Sequence, residues 1–425
     1  MTRPQALPDW RQMVTAFGRI GLVSFGGPAA QISVMHRELV DRRGWLGEQA
    51  FLGALSFCML LPGPEAMQLA TYAGWRLKGV AGGLLAGLLF VLPGALVVAA
   101  LALAYVEWGS VPEVQAAFLG IKALVVVLVC QALWRLSGKA LTGLAQRLWA
   151  LGAFVALFAF GLPFPLLILA AGAWGLWQGG GSAPAGTAPP APSSPAPDLR
   201  RTLQTALLWA CAWLAPLLAL KLTGQDFLFD LGAFFARLAV LSFGGAYALL
   251  AWMAQVTVET HGWLSPGQMI DALGLAETTP GPLILVTQFV AMVAGAIRQG
   301  PGLGLAAGAL TLWVTFLPCF LFIFVCAPHV ERLLAQPRLR AALQAITAAV
   351  VGVIASLALW FSLHVLFEVV DRRGPLPLPD PGSFQPLPAG LILVAAALML
   401  GLRAGLLSSL ALMALAGLAT RLLAG

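Results

Sequence analysis

Residues 61–65 read Leu-Pro-Gly-Pro-Glu and residues 279–283 read Thr-Pro-Gly-Pro-Leu, each set between apolar stretches. Two prolines remove backbone donors and the glycine between them opens unusual dihedrals, so a helix has to stop and restart at each site. The flanking stretches, 48–61 with 65–77 and 266–279 with 283–297, are each shorter than the ~20 residues a spanning helix needs. Freed backbone groups cannot face lipid; they are tolerated only inside the protein or beside a water-filled cavity.

The two breaks lie 218 residues apart, and so do their surroundings. Phe17, Arg19, Ser24-Phe-Gly-Gly27 and Gly44-Trp-Leu46 recur as Phe235, Arg237, Ser242-Phe-Gly-Gly245 and Gly262-Trp-Leu264. Leu92-Pro93 then matches Leu317-Pro318, and Ala116-Ala117 matches Ala341-Ala342, at an offset of 225. The second copy therefore carries seven extra residues, expected around 298–304. Between the copies, residues 179–198 are rich in Gly, Ala, Pro and Ser and read as a flexible linker. The organisation expected is an N-terminal half (1–178), the linker (179–198) and a homologous C-terminal half (199–425).

Composition places this duplication in a bilayer. Of the 425 residues 60% are apolar and only 10% charged, against about 25% charged in soluble domains. The 24 Lys and Arg are dispersed between apolar blocks, which is bilayer topology rather than the footprint of a nucleic-acid partner. Residues 80–106, 114–135, 202–220, 301–327, 341–367 and 389–424 are long enough to cross. Residues 12–35 and 231–253 contain the Phe-Gly-Gly breaks, and 147–177 is broken at Gly161-Leu-Pro-Phe-Pro165. The fold expected is an all-α polytopic membrane protein of roughly ten to thirteen helical pieces, some broken or re-entrant. Residues 1–11 lack the apolar core of a signal peptide and are expected to stay on the mature chain.

Loop charges orient the halves. Loop 36–47 holds Arg37, Arg42 and Arg43, while its copy at 254–265 holds no Lys or Arg. Segment 105–115 holds none, while its copy at 330–340 holds Arg332, Arg338 and Arg340. Basic loops stay cytoplasmic, so equivalent loops face opposite sides and the repeat is expected to be inverted, as in many secondary transporters.

Paired breaks in an inverted repeat point to a midplane binding site. Restarted helices aim N–H groups and a positive dipole end at its occupant, which favours an anion. The expected substrate-binding set is Arg19, Ser24, Gly26, Gly27, Gly63, Gln68, Arg237, Ser242, Gly244, Gly245, Thr279 and Gly281, with Thr278 and Gln288 as further hydrogen-bonding side chains. A rigid, planar guanidinium fork suits a tetrahedral oxyanion, although an interfacial Arg that reaches head groups fits Arg19 and Arg237 equally well. Glu65 and Glu277, flanking the breaks, are the expected proton carriers or, alternatively, neutralise a nearby Arg. Lys122 is a further cation deep in an apolar helix. Histidines 36, 261, 329 and 364 are scattered, the five cysteines form no C-x-x-C, and neither H-E-x-x-H nor a P-loop occurs. No metal, cofactor or enzymatic chemistry is expected.

Ser24-Phe-Gly-Gly-Pro28, His36-Arg-Glu-Leu-Val-Asp-Arg-Arg-Gly-Trp-Leu46 and Leu61-Pro-Gly-Pro-Glu-Ala-Met-Gln68 together resemble the chromate ion transporter family, and the repeat over 235–295 resembles its long, two-domain members. The resemblance implies a multi-pass bacterial inner-membrane protein that exports chromate by the proton motive force. It departs from exact repetition where Tyr247 replaces Ala29 and where Arg42 and Arg43 lack counterparts. Chromate and sulfate are similar tetrahedral dianions, and a sulfate carrier or an anion channel remain alternative readings. The partners expected are the oxyanion, protons and the lipid bilayer, with a homodimer as the assembly.

Overall fold

The computed structural model describes residues 8–424 apart from 26, 180–198, 244–245, 331–332, 334–335 and 374–375. All of the linker but Gly179, the site glycines Gly26, Gly244 and Gly245, and Arg332 therefore lie outside the described residues. The chain folds into two compact units, and each draws on both copies of the repeat.

The first unit comprises Met1–Ala102, Gly179–Gly245 and Thr279–Arg340. It begins with α1 (Trp10–Val23), opened by a capping box in which Asp9 accepts from Gln12 N–H and the Gln12 side chain accepts from Asp9 N–H. After the Ser-Phe-Gly-Gly break come α2 (Gly27–His36) and α3 (Glu48–Cys58), then the first Pro-Gly-Pro and α4 (Glu65–Trp108). The 44 residues of α4 would be about 66 Å long if straight, twice a bilayer core. It folds back instead at Lys78-Gly79, where Gly79 takes φ +63°, so that Gly74 lies against the Gly82 carbonyl. The sequence-predicted pieces 65–77 and 80–106 are the two arms of this hairpin.

Its counterpart in the second copy follows α8 (Leu199–Leu222) and α9 (Asp226–Val240), and consists of α12 (Val286–Gln299) and α13 (Pro301–Cys326) turning at Gly300 (φ +85°). Trp213 of α8 donates to the Val314 carbonyl at 2.9 Å and Trp313 of α13 donates to the Ala212 carbonyl at 3.0 Å, a reciprocal pin between two long helices. The other side of α8 presents Leu203, Leu207, Leu214 and Leu218 outward, as a lipid-facing helix must.

The hairpins correct the placement of the seven extra residues. Gly83 packs on the Thr71 carbonyl and Gly304 on the Met292 carbonyl, equivalent contacts at an offset of 221. Three of the insertions are thus spent before this point, in a single 3-10 turn at Leu283–Leu285 directly after the second Pro-Gly-Pro. The other four fall between Gly308 and Pro318 and lengthen α13 by about one turn.

The second unit comprises Leu103–Gln178, Ala246–Thr278 and Ala341–Gly425. Its helices are α5 (Pro112–Ala140), α6 (Leu144–Phe158), α7 (Phe164–Gln178), α10 (Ala246–Ala254), α11 (Pro266–Thr278), α14 (Pro337–Leu366), α15 (Pro386–Ala396) and α16 (Leu406–Ala424). Residues 147–177 divide at Gly161-Leu-Pro as expected, and 389–424 resolves into two pieces. An antiparallel hairpin, Val370–Arg373 with Leu376–Pro379, adds the one β element among the described residues to a fold expected to be all helical. In both copies a six-residue π-helical turn follows the second helix, Arg37–Arg42 and Gln255–Thr260, again 218 residues apart.

Helices α5 and α16 meet through small residues: Gly120 lies against the Met413 carbonyl and Gly417 against that of Ala116. Leu124, Leu128, Leu391, Leu410 and Met413 close the core around them. Gly120→Val is expected to force these helices apart, costing about 1–3 kcal/mol as overpacking does. The check is thermal melting of the purified protein in detergent, with Gly138→Val, where no atom stands near, as the control that should melt like the native chain.

Candidate functional site

The first unit brings both breaks and both serines into one cluster. Gly63 N–H donates to the Ser242 carbonyl at 3.1 Å, and Gly281 N–H donates to the Ser24 carbonyl at 2.9 Å. These are the same bond made twice, each from the Pro-Gly-Pro of one copy to the Ser-Phe-Gly-Gly of the other. Reciprocal contacts of this kind mark a two-fold relation between the copies at this point. Both serine hydroxyls turn back on their own helices, Ser24 to the Ile20 carbonyl at 2.5 Å and Ser242 to that of Ala239 at 2.6 Å.

Glutamine side chains donate to three backbone carbonyls of this cluster. Gln68 donates to the Pro62 carbonyl at 2.6 Å, Gln31 to that of Gly281 at 2.7 Å, and Gln288 to that of Ala95 at 3.0 Å. The buried Oε1 atoms of Gln68 and Gln288 and the hydroxyls of Thr311 and Thr315 have no hydrogen-bond partner among the described residues. Buried polar atoms in native proteins are rarely left so; a water or a polar ligand normally completes them.

The N–H groups of Gly63 and Gly281 were expected to face an oxyanion, but the serine carbonyls consume them. What stays open is the first turn of α4 after Pro64, where Gln68 N–H is the first to find a helical acceptor. Glu65 heads that turn and makes no ion pair or side-chain hydrogen bond among the described residues. Gly27 opens α2, and Thr279 is buried just before the second break.

The arginines differ between copies. Arg19 lies 3.9 Å from Glu38, which also holds Arg43 at 2.7 Å and Arg42 at 3.3 Å. Glu38 is 8% exposed and the Arg19 side chain 56%, and three guanidinium groups converge on this one covered carboxylate. Arg237 has an equivalent place on α9, and among the described residues it bonds its own helix, at the Ala233 carbonyl at 3.1 Å. Val256 and Thr260 stand where Glu38 and Arg42 stand in the first copy.

In the second unit, Glu277 accepts from Tyr247 at 2.6 Å, and Thr278 bonds the Leu275 carbonyl. Two functional groups escaped the sequence reading, Gln31 and Asp271. The signal for Asp271 was Lys122: a lone cation in an apolar helix needs a counter-ion, and these two are 3.2 Å apart. Among the described residues no cluster of His, Cys, Asp and Glu could hold a metal ion.

His36, beyond the membrane-length helices, bonds Glu48 at 2.7 Å and lies 3.4 Å from Asp41. The hydrogen bond to Glu48 raises its pKa above the ordinary 6.5. A raised histidine contributes stability that is fully present below about 6.5 and is lost as pH rises through the folded-state value. The native chain should therefore lose melting temperature as pH rises above about 6.5, and His36→Gln should flatten that part of the curve.

Among the described residues five helices are long and apolar enough to cross a membrane, and discontinuous segments are tied to one another at their breaks; this defines a multi-pass membrane protein of the discontinuous-helix transporter class. The family model for the chromate transporter matches residues 11–176 and 229–420. The chain belongs to the chromate transporter family, whose members are transporters and not enzymes. It is 34% identical to the chromate transport protein of Pseudomonas aeruginosa over 81% of this chain and 79% of that one. It is 32% identical to the chromate transport protein of Cupriavidus metallidurans (81% and 80%) and 30% identical to a probable chromate transport protein of Synechococcus elongatus (81% and 82%). No solved structure matches the chain.

Proposed function

We propose that this protein is a secondary carrier that exports chromate across the bacterial inner membrane, driven by the proton motive force. The single observation that carries the reading is the crossed pair of hydrogen bonds joining Pro-Gly-Pro of each copy to Ser-Phe-Gly-Gly of the other. A carrier must expose one site alternately to two sides, and a cluster built from two equivalent breaks gives both gates the same chemistry. The relatives named as chromate transport proteins supply the substrate.

In this reading the dianion sits at the first turn of α4, and Gln68, Gln288 and Thr279 line its surroundings. Ser24, Ser242, Gly27, Gly63 and Gly281 shape the site by holding the breaks together. Arg19, with Arg42 and Arg43, forms a basic mouth that gathers oxyanions, its excess of two positive charges over Glu38 raising their local concentration. Arg237 does the same more weakly on the second copy. Glu65 carries the coupling proton and Glu277 supports it. The mirrored loop charges support an inverted repeat with loops 36–47 and 330–340 cytoplasmic; in this reading a linker without transport chemistry joins the halves 1–178 and 199–425, and the carrier assembles as a homodimer.

The test is counterflow of radiolabelled chromate in proteoliposomes of the purified chain. Saturable exchange that unlabelled chromate displaces better than sulfate supports the reading. Displacement by sulfate at equal concentration makes this a general oxyanion carrier, and flux without saturation makes it a channel.

A further inference from the structure

Three polar side chains from three helices, one buried and two partly buried, meet in the second unit. Asp271 of α11 is 6% exposed. One of its oxygens lies 3.2 Å from Nζ of Lys122 on α5, and the other accepts from the hydroxyl of Tyr105, near the end of α4, at 2.8 Å. An ion pair in an apolar interior recovers less than it loses in hydration, and packing alone would be served as well by apolar residues. The repeat-equivalent positions make that point directly. Gly53 stands where Asp271 does, Thr347 where Lys122 does, and Val330 where Tyr105 does. The repeat folds without any of the three.

The same helix carries a second example. Glu277 accepts from Tyr247 at 2.6 Å, and its counterparts in the first copy are Met59 and Ala29. The chain has only three tyrosines, and two of them donate to the two buried carboxylates of α11. Helix α11 runs from the Gly-Trp-Leu loop to the residue pair before the second Pro-Gly-Pro, so its carboxylates mark out a line along the chain toward the break.

We infer that Asp271, with Lys122 and Tyr105, is a proton-binding station of the carrier. This rests on the reading of the chain as a proton-coupled oxyanion carrier and adds a station to Glu65. When Asp271 takes a proton its pair with Lys122 is dissolved: the carboxyl becomes neutral and Lys122 is left with an uncompensated positive charge. An ammonium in that state attracts an anion, and loss of the proton restores its internal partner and repels one. Proton and oxyanion thus bind together, in alternation with the ion pair; one proton with one dianion carries a net charge of about −1, which the inside-negative electrical part of the proton motive force drives outward. Among the described residues the groups facing Asp271 are Lys122 from α5 and Tyr105 from α4. Glu277 lies six residues along α11, held by Tyr247, a pair on which Arg135 of α5 also acts.

The experiment is chromate counterflow, and accumulation under an imposed gradient, in proteoliposomes of the native chain and of Asp271→Asn/Lys122→Met. With a gradient of about one pH unit, each coupled proton changes the accumulation ratio by up to about tenfold. The double variant removes both charges together and so avoids stranding either in the interior. It is expected to lose the response, with accumulation falling to the ratio seen without a gradient, and to exchange chromate more weakly at every pH because the Lys122 charge that draws the anion is gone. Tyr105→Phe is expected to keep counterflow and to move its pH profile toward alkaline pH, because the ionised carboxylate loses a donor. A double variant that responds to the gradient like the native chain, or a Tyr105→Phe profile that does not move, overturns the inference and leaves the carrier reading standing. Absence of counterflow in the native chain overturns the carrier reading itself.

Discussion

Gly63→Ala is expected to abolish chromate exchange while leaving the membrane-length helices folded. Gly63 takes φ +128°, a conformation in which a side chain costs of order 1–3 kcal/mol. A Cβ there would stand 2.6 Å from Nε2 of Gln68 and 3.1 Å from Sγ of Cys319. The Gln68 amide is the donor that satisfies the Pro62 carbonyl, so displacing it orphans a buried acceptor at a further cost of about 1–3 kcal/mol. The same shift pulls Gly63 N–H from the Ser242 carbonyl. Taken together, about 2–6 kcal/mol falls on the geometry of the breaks, enough for a loss of between thirtyfold and complete inactivity at ~1.4 kcal/mol per decade. Gly281→Ala, at φ +87° with Leu285 at 3.1 Å, should fall in the same class, since it carries the equivalent bond to Ser24. Gly18→Ala, on α1 with no atom near its Cβ, should exchange like the native chain. Native exchange in Gly63→Ala would show that the crossed bonds are packing and not part of the transport machinery.

Why the breaks were legible and their partners were not follows from the physics of each. A Pro-Gly-Pro interrupts a helix by covalent geometry, whatever surrounds it, so its position is local information. Likewise a glycine turn at Lys78-Gly79 and hydrophobic runs of membrane length announce themselves. That Gly63 bonds Ser242 of the other copy is non-local: it depends on how the copies meet, and no spacing encodes it. The arginines show the same limit. Arg19 and Arg237 look alike in their motifs, yet Glu38 exists in one copy and Val256 stands in the other, and only the first arginine joins a charged cluster. Position 271 was passed over because an aspartate in the first turns of a short helix resembles an ordinary terminal acid; pairing it with Lys122 needed the helices side by side. The hairpin 370–379 hid in a proline-rich stretch whose residues are poor strand formers, and its pairing closes a loop instead of building a sheet.

Glu65→Gln is expected to exchange chromate at close to the native rate and to show no acceleration by an imposed pH gradient. The glutamine keeps the size and hydrogen-bonding atoms of the side chain and removes only its capacity to change charge. Glu65 is the first residue of α4, where the helix dipole favours a carboxylate, yet it lies beside the buried Ala66, Met67 and Gln68 and has no cation partner among the described residues. Arg19, the cation expected nearby, is engaged with Glu38. A carboxylate without a partner next to an incoming dianion repels it, at 5 Å and an effective dielectric of 20, by about 7 kcal/mol for charges of one and two. Protonation removes that repulsion, so anion binding and proton uptake at Glu65 must go together. In Glu65→Gln the repulsion is absent at every pH: chromate affinity becomes independent of pH across the range in which the native affinity falls as protons are withdrawn. Glu65→Asp, which keeps a titratable carboxylate, should retain the gradient response. Measuring half-saturation for chromate counterflow between about pH 5.5 and 8.5 decides the matter. Parallel pH profiles for the native chain and Glu65→Gln would assign Glu65 to capping α4 and leave the proton to the carboxylates of α11.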